Sequence, residues 1–343
     1  MKALRIHRHG GPEVLALDDI PEPTPGPGDV LVRVLAASVN HLDLWVRRGM
    51  PGFRVPFPRI LGCDGTGEVV GLGAGASAFK AGQKVALEPG YCAADARFEA
   101  YGRDHLEADY EIRGEHSDGF HAEYVVLPER YLLALPDGLD PIAAAAVPLV
   151  FLTAWGMLDR AQLARGETVL VLGGASGVGS AAIQIARQRG ARVLATAGSD
   201  VKRDLCLELG AEAAIDHRSL DWPKEVKRLT AGAGADVVVE HVGPATWAGS
   251  MRSLARCGRL VTCGGTTGPT VELNLPHLFI KNQSVLGSTM GPASALPVIF
   301  DRVARGIWRP VLDSAISMSR AWEAHERLEA RDVVGKIVLV PGH

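Results

Sequence analysis

TVLVLGGASGVGSAAIQIARQRG (168–190) decides the reading of this 343-residue chain. A run of strand-forming residues enters Gly173-Gly174-Ala175-Ser176-Gly177-Val178-Gly179, and a helical pattern follows. Glycines at such a turn let the backbone approach a pyrophosphate, which then rests on the exposed N–H groups of the helix. A glycine pattern alone is weak, because any tight strand-to-helix turn favours glycine. The context strengthens it. ARVLATA (191–197) reads as a strand, VKRDLCLELG (201–210) as a helix closing on Gly210, and AEAAIDH (211–217) as a strand. A helix near WPKEVKRLTAG (222–232), the strand ADVVVEHVG (235–243), a helix through MRSLARCG (251–258) and the strand GRLVTCGG (258–265) continue the series. Such alternation predicts a doubly wound parallel sheet with helices on both faces.

Working outward, the first 130 residues read as strands broken by turns. LVRVLAAS (31–38), GTGEVVGLG (65–73), AGQKVALEP (81–89) and FHAEYVVLP (120–128) are strand candidates, and PEPTPGPGD (21–29) is an exposed connection. A partly closed β-barrel is expected. After residue 291 the pattern gives one helix, a loop and the strand GKIVLVP (335–341). The expected architecture is therefore α/β: a barrel domain, 1–130, completed by 291–343, and a nucleotide-binding domain, 131–290.

Composition narrows the function classes. Hydrophobic residues make up 47% and charged residues 22%, which excludes disorder and coiled coil. A net charge of −3 is too near neutral to hold nucleic acid or an anionic membrane. The uncharged stretch 141–158 is nearly long enough to cross a bilayer, but Pro141, Pro148 and four consecutive alanines favour a buried helix and a turn. The N-terminus lacks the apolar core of a signal peptide, so a cytoplasmic protein is expected. Five scattered cysteines without a C-x-x-C pair are expected to be free thiols.

About 20 residues past a phosphate turn, NAD sites usually place a carboxylate for the adenosine ribose. Here Ser199 stands near the end of the second strand, with Lys202 and Arg203 one turn later, a set better suited to a 2′-phosphate than to a free hydroxyl. NADP(H) is expected ahead of NAD(H), although Asp200 lies close enough to keep NAD(H) open.

ASVNHLDLWVRRG (37–49), PRILGCDGTGEVVGLG (58–73), GFHAEYVVLP (119–128), LTAW (152–155), GGASGVG (173–179) and VVGKIVLVP (333–341) together resemble the medium-chain dehydrogenase/reductase superfamily. The resemblance covers nearly the whole chain. It implies a GroES-like catalytic barrel, a Rossmann domain and an active site in the cleft between them. It carries nucleotide binding onto Gly173, Ser176, Gly177, Val178 and Gly179, and then onto Ser199, Lys202 and His217. Val242, Gly264, Thr266 and Lys336 are assigned to the same cofactor. His217 replaces the tyrosine that binds phosphate in the NADPH-using branch.

The zinc-dependent alcohol dehydrogenases of this superfamily hold a catalytic metal with Cys, His and Cys. Those positions fall here on Asn40, Cys63 and Leu149, a set with one possible ligand where about three are needed. His41 and Asp64 are the only nearby substitutes. The four structural cysteines of the zinc lobe fall on Ala93, Ala96, Glu99 and Glu107, or in the neighbouring register on Cys92, Asp95, Phe98 and Leu106. No zinc is expected at either place, and packing and polar contacts must hold the lobe. Asn40 followed by x-x-Asp resembles the zinc-free quinone oxidoreductase and enoyl reductase branch.

The resemblance implies hydride transfer to a quinone or an α,β-unsaturated carbonyl, with Asn40 and Thr153 positioning the reactants. His41 or water would supply the proton, and Cys63 would line the pocket as a buried thiol. His116, Asp118 and His121 read as surface or hinge residues. Two alternatives stand: an alcohol dehydrogenase with unusual zinc ligands, and a non-catalytic NADPH-binding protein. The uncharged strand QSVLGST (283–289) is expected to pair with a second copy in a homodimer or homotetramer.

Overall fold

Asp29–Val39 is the strand around which the first half of the molecule assembles. Its inward residues Val30, Val32 and Val34 are fully buried, as period-two alternation requires. It pairs antiparallel with Gly65–Leu72, with Tyr124–Pro128 and with Lys336–Val340, so neither of its edges is left open. Lys84–Leu87 and Leu132–Ala134 extend the sheet on one side, and Leu312–Ser317 extends it beyond Lys336–Val340 on the other. Val69, Val85, Leu87, Phe120 and Leu127 join the valines of the long strand in one apolar core. The computed structural model from which this is drawn describes residues 1–49, 54–92, 102–219 and 221–342.

The nucleotide half is a six-stranded sheet in which each neighbouring pair is parallel. In chain order its strands are Thr168–Val171, Arg192–Ala197, Ala213–Asp216, Ala235–Glu240, Leu254–Thr262 and Ser284–Gly287, and their spatial order is 3-2-1-4-5-6. The order reverses between the first and fourth strands, which is the switch point where ligands of such sheets bind. Helices Gly177–Gln188, Asp200–Glu208, Trp222–Leu229 and Pro244–Ser253 connect the strands as the sequence pattern indicates. Gly210 stands at φ +110° just past the second helix.

Three expectations are corrected. The chain divides into Met1–Leu149 with Pro292–His343, and Val150–Gly291, so the first boundary falls near 149 and not 130. Residues 131–149 belong to the barrel because Leu132–Ala134 pairs with Lys84–Leu87 and Thr66 donates to the carbonyl of Pro141 (2.8 Å). The helix expected through MRSLARCG ends at Ser253. Leu254 already pairs with Ala235, and Cys257 takes a left-handed φ of +61° in an irregular strand. Finally, the C-terminal stretch holds two helices, Leu296–Ala304 and Ala321–Glu329, and the additional strand Leu312–Ser317. The apolar stretch Pro141–Arg160, long enough for a membrane span, is two helices, Pro141–Ala144 and Pro148–Arg160, with most of its side chains buried in the fold.

Arg47 is a fully buried charge. It lies on helix His41–Arg48, and its guanidinium donates to the carbonyl of Gly10 (3.2 Å), to Nδ1 of His325 (3.1 Å) and to the Glu329 carboxylate. His325 and Glu329 belong to Ala321–Glu329, so the charge cluster ties that helix to His41–Arg48 within the barrel half. Burial and the adjacent Arg47 hold the His325 imidazole neutral, well below the ordinary histidine range. Arg48 reaches the same carboxylate (2.7 Å). Removing a buried ion-pair partner usually costs about 3–5 kcal/mol, but Arg48 still pairs with Glu329, so Arg47→Met is expected to cost about 2–4 kcal/mol. Urea denaturation measures this; a loss near zero contradicts the structural role.

Candidate active site

Asn40 ends the long strand and opens helix His41–Arg48. Its backbone N–H donates to Asp43 Oδ2 (2.7 Å), one half of a capping box. The other Asp43 oxygen accepts from the N–H of Gly62 (2.8 Å), which joins this helix start to the Gly62-Cys63-Asp64 turn. Asp43 is 2% exposed, and burial pushes its carboxyl above the usual range. The Asn40 side-chain amide, itself buried, faces Ser38 Oγ (3.2 Å), Cys63 Sγ (3.3 Å) and Asp64 Oδ1 (2.9 Å). Ser38 also donates to Asp64 Oδ1, and the N–H of Leu149 donates to Oδ2 (2.9 Å).

Lys336 completes the cluster. Register pairs Ile337 with Val39, which sets the lysine opposite Asn40. Its ammonium is buried and donates to the Val39 carbonyl (2.7 Å) and to Asn40 Oδ1. Among the positions assigned to the cofactor, Lys336 is therefore found in the barrel network, where it serves Asn40.

Asn40, Cys63 and Lys336 are thus brought together, with Ser38, Asp43 and Asp64 as members that the sequence reading did not weigh as one set. Burial, with Asp64 and Asp43 close by, pushes the Cys63 thiol well above its ordinary value, so it stays the protonated, buried thiol that was expected. His41 follows at the helix start, half-buried, with its ring 6.5 Å from that of Trp45. His121 is a correction. It is fully buried, and Nε2 donates to the Ser38 carbonyl (3.1 Å). The ring fits only because residue 62 is glycine at φ +89°; a Cβ there would lie 2.3 Å from the imidazole. His116 is half-buried and accepts from the N–H of Ile112, and Asp118 accepts from the N–H of Ile60.

A zinc ion does not fit this donor set. Leu149 has no ligating atom, an ammonium holds the Asn40 carbonyl, and three donors satisfy the two Asp64 oxygens. Among the described residues no three His, Cys, Asp or Glu side chains converge as a metal site. In the lobe, Ala93, Asp95, Ala96, Phe98 and Glu99 lie outside the described residues. Its base is held by Tyr131 donating to the Cys92 carbonyl (2.6 Å), by Arg113 stacked 4.0 Å over Tyr91 and by Tyr91 bonded to Glu111. Glu107 closes a single 3-10 turn there through its N–H to Asp104.

In the nucleotide unit the turn has the shape a pyrophosphate needs. Gly173 takes φ +56°, and a Cβ on Gly179 would lie 2.3 Å from the Gly173 carbonyl oxygen. Ser176 caps helix Gly177–Gln188 by accepting from the N–H of Gly179 (3.0 Å), and Gly177 and Val178 form its first turn. These residues fit a dinucleotide. His241, missed in the sequence, directly follows the fourth strand, with Nε2 3.5 Å from Ser176 Oγ. Burial keeps its imidazole below the ordinary range. Its signal was its place at the switch point.

Beside it Glu240 is wholly buried, accepting from the N–H groups of Val242 and Gly243 and the hydroxyls of Thr246 and Ser250. The Val242 carbonyl accepts from Thr267, Thr266 donates to the carbonyl of His241, and the Gly264 carbonyl accepts from Thr262, all at the carboxyl ends of the fourth and fifth strands. Thr153 is buried in this unit, with its hydroxyl 4.0 Å from Met290 Sδ.

At the second strand's end Ser199 caps helix Asp200–Glu208 by accepting from the N–H of Lys202 (3.4 Å). His217 follows the third strand, 3.2 Å from Thr196 Oγ1. Arg203 pairs with Asp200 and with Asp216 (3.4 Å), and Arg218 holds the Asp216 carboxyl down to about 2.

Residues 26–137 match the alcohol dehydrogenase GroES-like domain family, and residues 177–305 match the zinc-binding dehydrogenase family. A quinone oxidoreductase of Pseudomonas aeruginosa is 33% identical over 99% of both chains. The crystal structure of an NAD-dependent alcohol dehydrogenase is 44% identical over the whole of both chains, with a TM-score of 0.96. The crotonyl-CoA carboxylase/reductase AntE, solved in complex with NADP, is 26% identical over 99% of this chain and 94% of its own, with a TM-score of 0.89. With its GroES-like barrel and Rossmann sheet, this chain belongs to the medium-chain dehydrogenase/reductase superfamily and is an NAD(P)-dependent oxidoreductase.

Proposed function

We propose that this enzyme uses NADPH to reduce a quinone or an α,β-unsaturated carbonyl without a metal. The observation that carries the reading is the set at Asn40, Cys63 and Leu149, in which an ammonium holds the Asn40 oxygen, Cys63 is a protonated thiol and Leu149 has no ligating side-chain atom. Oxidising a simple alcohol requires a Lewis acid or a strong base to take its hydroxyl proton. Reducing an electron-poor C=C or a quinone requires chiefly orientation and exclusion of water. The reduced nicotinamide, when bound, supplies the hydride. In this reading Asn40 and Thr153 orient the reacting groups, Cys63 stays an uncharged part of the wall, and His41 or water gives the substrate its proton.

Lys202, Arg203 and Arg218 support the NADPH preference by gathering positive charge at the ends of the second and third strands. A second reading, an NAD(H)-dependent alcohol dehydrogenase, is supported by the 44% identity to an NAD-dependent enzyme of that class and by the carboxylates Asp200 and Asp216 near the same place. We also place a second copy of the chain on strand Ser284–Gly287, the edge of the parallel sheet. Val285, Leu275, Phe279 and Ile280 are all exposed on this edge strand and the helix before it, Leu275–Ile280.

Three measurements test these readings. NADPH and NADH consumption across quinones, enones and aldehydes should show NADPH turnover with the first two classes, unchanged by a chelator. Turnover confined to alcohols and aldehydes, or lost with the chelator, favours the second reading. Lys202→Ala should raise the NADPH dissociation constant about tenfold, the loss of one charge-assisted contact, and barely change that of NADH. Equal losses would remove the argument for NADPH. In sedimentation, Val285→Lys should shift a dimer or tetramer toward monomer, and a monomeric wild type refutes the pairing.

A further inference from the structure

The barrel cluster holds more opposite charge than its sequence motif suggests. Asp43 and Asp64 are 2% and 0% exposed; Asp43 accepts from the N–H of Gly62, and Asp64 accepts from the Asn40 amide. Buried carboxylates need donors and a compensating positive charge. His121 is the imidazole beside Asp43; burial pulls the Lys336 ammonium below its ordinary value, and the nearby Asp64, Cys63 and Asp43 act against that pull. Lys336 is buried and delivered by strand pairing, so its position is built into the barrel.

The orientation of Asn40 follows from this ammonium. A cation on Oδ1 fixes the amide so that Nδ2, a donor, points at Asp64, Ser38 and Cys63. A metal at the family's position would need lone pairs from the same atoms. Asn40 Oδ1 is occupied, and Asp64 Oδ1 accepts from Ser38 and Asn40 while Oδ2 accepts from the N–H of Leu149. The Cys63 sulfur is met by an N–H donor.

We propose that the Lys336 ammonium is the resident cation of this site, bonded to Asn40 Oδ1, the one oxygen among the side chains at the family's ligand positions, so that the site excludes metal by charge. This concerns the same cluster as the metal-independent reduction above and adds the group that supplies the positive charge. Cobalt uptake tests it without reference to turnover, so the substrate assignment and this proposal can fail separately.

Wild type, Lys336→Met, Lys336→Arg and the double variant Lys336→Met/Cys63→Ser are titrated with Co²⁺. Visible spectra report a thiolate charge-transfer band, metal content is measured after desalting, and circular dichroism checks the fold. Wild type and Lys336→Arg should give no thiolate band and retain no cobalt. Lys336→Met should bind Co²⁺ at least ~10-fold more tightly than wild type, because a like charge has been removed from beside the ion. The double variant should lose the band. If Lys336→Met does not fold, Lys336→Gln takes its place. A wild-type protein that retains one cobalt with a thiolate band overturns the proposal. So does a folded methionine or glutamine variant no better at binding than wild type, or an arginine variant that binds as well as the methionine one.

Discussion

Two carboxylates, Asp43 and Asp64, sit inside an apolar barrel, and much of the catalytic half is arranged to satisfy them. Bulk solvent scarcely reaches them, and an unmet buried charge is among the most expensive defects a fold can carry. Backbone N–H groups of Asn40, Gly62 and Leu149, the Ser38 hydroxyl and the Asn40 amide converge on them from three separate segments, and Lys336 of the final strand joins through Asn40. The helix start, the Gly62 turn, residue 149 and the final strand are thereby locked to one another. The site is pre-organised because the fold would otherwise be unstable.

The parallel sheet was largely legible in the sequence. Its first, second and fourth strands are almost wholly buried and read as short apolar runs, and glycine marks the turn where a side chain would collide with the Gly173 carbonyl. Asn40 and Cys63 were legible for a different reason, since their motif aligns with a metal-binding one and departs from it. Less visible was helix Ala321–Glu329, whose buried positions are Ala321, Ala324 and His325, small or polar residues that leave a faint hydrophobic period. Strand Leu312–Ser317 is mostly half-exposed and polar, with only Ile316 fully inside.

His121 and Lys336 show a deeper limit. Polar side chains are normally outside, and nothing within a few residues of either announces burial. Each is inside because of a partner remote in sequence: the Ser38 carbonyl for His121, and Val39 with Asn40 for Lys336. Local pattern carries no record of such pairings. His241 is similar, being ordinary in sequence and notable only once the strand order sets it at the reversal point beside Ser176.

The barrel half is made from both ends of the chain, with Ala37 facing Leu339, Ser38 facing Val338 and Val39 facing Ile337. During synthesis this has a directional effect. The nucleotide unit is one continuous stretch and has all six strands once Gly287 has emerged, whereas the barrel lacks one neighbour of its central strand until Lys336–Val340 has been made. Until then one edge of Asp29–Val39 presents unpaired backbone, and the loop to be closed is nearly the whole protein. The nascent chain therefore carries a nucleotide unit with its strands complete while the other sheet is still open, and this interval is when that sheet is most exposed to mispairing.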